Sequence, residues 1–137
     1  MKLYETPMRA SAEDYLETIL LLSRRRGMVR AIDVATEMNF SKPSVSVAMK
    51  KLRMQSLIEV DEDGNITLTP DGSAEAERVL ERHATLNDWL CRIGVPEEIA
   101  QTDACRLEHI LSAETYDAIK RYAARTQLHQ PQADGSI

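Results

Sequence analysis

Apolar residues recur along this chain in two periods, and the points where the period changes divide it into elements. Tyr15, Leu16, Ile19, Leu20 and Leu22 follow at the spacing of one buried helix face. Ser11-Ala-Glu-Asp14 supplies a cap hydroxyl and first-turn acids, Arg24-Arg25-Arg26 suits the negative end of the helix dipole, and Gly27 ends the run. A short second helix is predicted over Ala31 to Met38. Asn39-Phe40-Ser41 reads as a turn, and a third helix runs to about Gln55 with Pro43 in its first turn and Val45, Met49 and Leu52 as its buried seam.

The period then drops to two. Leu57-Ile58-Glu59-Val60 and Ile66-Thr67-Leu68-Thr69 flank Asp61-Glu-Asp-Gly64-Asn65, a hairpin signal. Helical spacing returns at Thr69-Pro70-Asp71 and lasts to about Cys91, with Gly94 beyond its end. A further helix spans Pro96 to about Leu111. Ser112 opens a last one, with Tyr116, Ile119 and Tyr122 on one face, and from Thr126 the tail is polar and expected to be disordered.

Helix, helix, turn, helix and hairpin within residues 1–69 is the order of a winged helix-turn-helix, so the chain is predicted to be mainly α with a DNA-reading module first. Composition supports a folded protein: 43% of residues are hydrophobic and 28% charged, and aromatics are few, which implies an aliphatic core. The longest apolar run, Ile19 to Leu22, is too short to span a membrane, and Met1 to Arg9 lacks an export signal's apolar core. Cys91 and Cys105 form no close pair, so a reduced, cytoplasmic location is expected.

The net charge of −5 argues against nucleic acid until the chain is split. Residues 1–60 carry ten Lys/Arg against seven Asp/Glu, and residues 61–137 carry seven against fifteen. In the third helix no acid appears between Ser41 and Ser56. Ser41, Lys42, Ser44, Ser46, Val47, Lys50 and Lys51 offer small groups for close approach, hydroxyls for phosphate and positive charge, and are the candidate DNA contacts. The wing tip, with Asp61, Glu62 and Asp63, would be repelled by phosphate. A basic winged module that binds protein instead is the bland alternative.

A second constellation is Cys105-Arg-Leu-Glu108-His109. Positions i, i+3 and i+4 share a helix face, so thiolate, carboxylate and imidazole could converge on a transition metal. Asp14 and Glu17 form another i, i+3 pair, and His83 is a further donor. Spacing alone leaves the alternatives open: Asp14 as a helix-start acid, Glu17 as a solvated residue, His83 as an ordinary histidine and Cys105 as a small apolar residue or an oxidation sensor. No nucleophile–base pair or phosphate loop is present, so an enzyme is not expected.

Several segments carry a resemblance: Ser11-Ala-Glu-Asp-Tyr-Leu-Glu-Thr-Ile, Lys42-Pro-Ser-Val-Ser-Val, Leu68-Thr-Pro-Asp-Gly, Glu81-Arg-His and Asp103-Ala-Cys-Arg-Leu-Glu-His-Ile-Leu-Ser. In order, and over nearly the whole chain, they resemble the metal-dependent repressors of the DtxR/MntR family. The resemblance implies a winged DNA-binding domain over 1–69 and a helical metal-binding and dimerisation domain over 70–125, leaving 126–137 as tail. It also implies a homodimer on double-stranded operator DNA, activated by Mn(II) or Fe(II), with Co, Ni or Zn as substitutes in vitro, and no membrane partner.

Carried over position by position, the family's ligands fall on Asp14, Glu17, His83, Cys105, Glu108 and His109. The set is a hybrid, since Asp14 matches the manganese branch and Cys105 the iron branch. Asn87 and Gln101 stand where the iron branch's second site has a carboxylate and a histidine. Val47 stands where that branch has a base-contacting glutamine, and can meet only apolar groups such as a thymine methyl. The chain is too short to include the SH3-like domain of larger members, as in the manganese-responsive branch.

Overall fold

The computed structural model describes residues 11–128, with side chains to Arg125. The order is α1 (Ala12–Arg26), α2 (Ala31–Met38), α3 (Lys42–Met54), β1 (Ile58–Val60), β2 (Ile66–Leu68), α4 (Pro70–Arg92), α5 (Glu97–Ile110) and α6 (Ala113–Leu128). The described residues separate into two compact units, one ending at Val79 and one beginning at Leu80.

In the first unit each boundary has a local cause. Ser11 caps α1, its hydroxyl accepting from the Asp14 amide while the Asp14 carboxylate accepts from the Ser11 amide, a reciprocal capping box. Asn39 ends α2 in the left-handed region at φ 58°, and its amide returns to the Ala35 and Thr36 carbonyls. That reversal makes the turn of the helix-turn-helix. Phe40 in the turn packs edge-on against Tyr15 of α1, ring centroids 6.3 Å apart. Ser41 caps α3 through the Ser44 amide.

β1 and β2 pair antiparallel, with Ile58 opposite Leu68 and Val60 opposite Ile66. The Ile66 amide also bonds the Val29 carbonyl at 2.7 Å, and Arg30 bridges Asn65, so the approach to α2 lies along the free edge of β2. The turn is held by Asp61, whose carboxylate accepts from the Asp63 and Asn65 amides, and by Gly64 at φ 86°. Leu16, Ile19, Leu22, Val29, Val34, Val45 and Leu52 form an aliphatic centre, each at most 1% exposed.

Thr69 joins the hairpin to α4. Its hydroxyl donates to the Ser56 carbonyl and accepts from the Gly72 amide, so it caps the helix and ties it to the end of α3. Gly72 lies against Leu57: a Cβ at position 72 would stand 1.9 Å from the Leu57 carbonyl oxygen.

The second unit holds a smaller core of Leu86, Leu90, Ala100, Ala104 and Tyr116, with Trp89, Cys91, Leu107 and Ile119 packed against it. The two buried residues that α5 gives this core are alanines, so its packing surface is low. On α6 the structure departs from expectation. Tyr122 is 52% exposed and Ala123 is buried, so the inward stripe runs Tyr116, Ile119, Ala123 and turns away from Tyr122 as the 3.6 period advances. α6 also continues to Leu128, past the expected start of a disordered tail at Thr126. The remainder of that tail, and Met1 to Ala10, lie outside the described residues.

Candidate metal centre and nucleic-acid interface

The first unit presents its chemistry on the outside. Along α3, Val45, Met49 and Leu52 face inward, while Lys42, Ser44, Ser46, Val47, Lys50 and Lys51 are exposed. Val47 is 57% exposed, an apolar side chain set among hydroxyls and ammonium groups. The Ser41 hydroxyl is engaged with Ser44 as the helix cap, at 2.9 Å between the two oxygens.

Basic residues in this unit fall into two groups. Arg24 pairs with Glu77, Arg25 with Glu37 at 2.9 Å, and Arg26 with Asp33 at 3.2 Å. No acid among the described residues pairs with Lys42, Lys50, Lys51 or Arg53. The positive charge left for an external anion is therefore on α3 and at Arg30, not at the end of α1 where the sequence shows three arginines in a row. At the wing, bonds from the Asn65 backbone and side chain hold the Asp61 carboxyl below its ordinary range, so this exposed tip stays negative.

The second unit places its chemistry inside. Glu108 on α5 is 1% exposed, the one buried charged residue among those described. Two imidazoles flank it. His83 Nδ1, from α4, lies 3.7 Å from Glu108 Oε2, and His109 Nε2 lies 3.5 Å from Glu108 Oε1. Burial pushes the His83 imidazole below its ordinary pKa, which favours the neutral form with a lone pair to give. His83 Nδ1 is buried and has no hydrogen-bond partner among the described residues.

Two donor atoms held about 2.1 Å from one ion stand roughly 3.0 Å apart at an octahedral angle and 3.4 Å at a tetrahedral one. The observed 3.5 and 3.7 Å are separate approaches, one imidazole to each oxygen of the same carboxylate. A buried carboxylate with an imidazole beside each oxygen offers donor types that a divalent transition metal takes. Cys105 stands one turn before Glu108 on α5 and is exposed. Asp14 and Glu17 lie one turn apart on α1, both half-buried, with Asp14 Oδ2 at 3.0 Å from the Ser11 amide. The helix-start role of Asp14 is real.

Sequence reasoning missed Arg82. Its guanidinium donates to the Glu108 carbonyl at 2.8 Å and to the Leu111 carbonyl at 3.4 Å, and lies 4.7 Å over the Tyr116 ring. Tyr116 in turn shares a hydrogen bond with Thr85. The only local signal is adjacency to His83, because the partners are 26 to 34 residues away. Asn87 is placed with its amide oxygen buried and without a hydrogen-bond partner, and Gln101 is exposed.

Comparison with known proteins agrees with this division of labour. Residues 8–66 match the N-terminal DNA-binding domain of iron-dependent repressors, and residues 69–132 match their metal-binding and dimerisation domain. The Transcriptional regulator MntR of Escherichia coli is 36% identical over 125 residues, covering 91% of this chain and 79% of that protein. This chain belongs to the iron-dependent repressor family. As a member it is a metal-dependent DNA-binding transcriptional regulator.

Other relatives span a wide range of organisms. An uncharacterised helix-turn-helix transcriptional regulator of Methanocaldococcus jannaschii is 33% identical over 115 residues, covering 82% of this chain and 92% of that one. The crystal structure of IdeR from T. acidophilum superposes with a TM-score of 0.75 at 31% identity, covering 85% of this chain and 55% of that one. The manganese regulator SloR gives 0.75 at 26%, covering 90% and 56%. The chain thus spans about half the length of these solved structures. No helix among the described residues is long and apolar enough to cross a membrane.

Proposed function

We propose that this chain is a cytoplasmic, homodimeric repressor that binds double-stranded operator DNA through α3 when Mn(II) or Fe(II) occupies the site of Asp14, Glu17, His83, Cys105, Glu108 and His109. The observation that carries this reading is the buried Glu108 carboxylate between the His83 and His109 imidazoles. Carboxylate and imidazole are the donor types that a divalent transition ion suits. Co, Ni and Zn would substitute in vitro.

Each residue has a share in the work. His83 and His109 present imidazole nitrogens and Glu108 a carboxylate oxygen from the second unit; Cys105 adds its sulfur from the same helix, α5. Asp14 and Glu17 add carboxylates from α1 of the reading module. Bound metal supplies positive charge to which carboxylates from both modules are drawn, and this differential affinity for one arrangement is what makes a switch. Lys42, Lys50 and Lys51 then meet phosphates, while Ser44, Ser46 and Val47 approach base edges.

Operator fragments titrated separately with Mn(II) and Fe(II), without oxygen, test the reading. Metal should tighten binding, a chelator should reverse it, and Asp14→Ala or His109→Ala should remove the metal effect while the dimer persists. DNA affinity indifferent to metal but responsive to a reductant would transfer control to Cys105 and sink the proposal.

A further inference from the structure

We infer that Arg82 is a positioning residue for the metal centre, holding the last turn of α5 so that Glu108 and His109 are aimed before any ion arrives. The inference rests on the metal reading above. It starts from a weakness of helices. The final carbonyls of an α-helix have no partner within it, and its last turn frays. α5 ends at Ile110, so Glu108 and His109 both sit in that turn. The chain therefore places a buried carboxylate and an imidazole donor at the loosest part of their helix.

Arg82 removes the looseness. One arm of its guanidinium bonds the Glu108 carbonyl and the other reaches the Leu111 carbonyl, the residue that caps α5. Tyr116 of α6 supports the plane from one side, and Thr85, three residues along α4 from Arg82, holds the Tyr116 hydroxyl. His83 is the next residue on α4. The same turn of α4 thus grips the backbone of Glu108 with Arg82 and faces its side chain with His83. A lysine could not replace this, because one ammonium cannot span two carbonyls in a fixed fork or stack flat on a ring.

The test uses the full chain, with Co(II) and Mn(II) affinities measured by competition with a chelating dye and the Co(II) absorption spectrum as a report of coordination geometry. Arg82→Lys and Arg82→Gln should weaken both metals about tenfold or more and shift the Co(II) bands, as outer partners of metal ligands do. Tyr116→Leu, which leaves the guanidinium without its ring, should act in the same direction by less. It keeps the test open if an arginine variant does not fold. Variants that melt lower without metal yet keep wild-type affinities and Co(II) bands overturn the inference while leaving the metal reading intact. Wild-type protein that binds neither ion overturns both.

Discussion

The two units solve opposite problems. The first buries an aliphatic centre and, among its described residues, keeps every charged side chain off its interior, with α3 offering uncompensated positive charge to the outside. The second has a core thinned by alanines and carries a glutamate inside it. A reading head must hold its shape whatever it meets, so its stability comes from packing. A metal sensor needs polar donors where its ligand is to sit, and the second unit carries one in its interior. Stability and function are separable in the first unit and opposed in the second.

The sharpest test of this contrast is a pair of core substitutions. Leu52→Ala should lower unfolding stability by about 2–5 kcal/mol, the range for emptying a buried leucine site. Glu108→Gln should instead change metal-free stability far less, since glutamine keeps the shape of the buried side chain. Denaturant melts of metal-free protein read both. A Glu108→Gln loss as large as that of Leu52→Ala would break the contrast. The glutamine variant should also lose metal affinity, by two orders of magnitude or more in a chelator competition.

A smaller effect separates the two groups of basic residues. Lys50→Ala and Lys51→Ala should each leave stability within about 0.5 kcal/mol while lowering operator affinity and reducing the salt slope by about one. Arg25→Ala and Arg26→Ala, whose charges already meet Glu37 and Asp33, should change that slope far less. Equal slopes in all four variants would mean that internal pairing does not decide which charges reach DNA.

The smallest effect belongs to the wing. The Asp61 carboxyl titrates below its ordinary value because the folded turn bonds its charged form. Its contribution is fully present above the pKa of an unfolded aspartate and is lost as pH falls through the depressed folded value. A chemical-shift titration of the Asn65 amide should show a midpoint below that of an aspartate in an unfolded chain, and Asp61→Asn should remove the step.

Most of the fold was legible because its signals are local. Ser11, Asn39 and Ser41 act within four residues of their own positions, as does the cap that Thr69 gives Gly72, and the hairpin follows from Asp61 to Asn65. Tyr122 was misassigned to the inward face because a spacing of three and then three drifts off a 3.6-residue period, and Ala123 fills the place instead. Of the candidate site, the i, i+3, i+4 cluster on α5 was visible as a pattern. What it could not convey is that Glu108 alone is buried, since burial depends on what α4 lays over it. Arg82 was invisible for the same reason, because a guanidinium that bonds backbone carbonyls leaves no trace in the identity of its partners. The run Arg24-Arg25-Arg26 misled in the other direction: its acids lie 7 to 53 residues away.

Gly72 has a consequence that neither DNA nor metal would reveal. With the Leu57 carbonyl 1.9 Å from where a Cβ would be, no other residue fits unless α4 lifts from the end of the hairpin. In a saturation mutagenesis screen scored on repression, this position should behave like a ligand position, rejecting even alanine, although it meets neither partner. A map of intolerant positions alone would mark it as part of a site. Only the spacing between two backbones tells that it is a hinge pin.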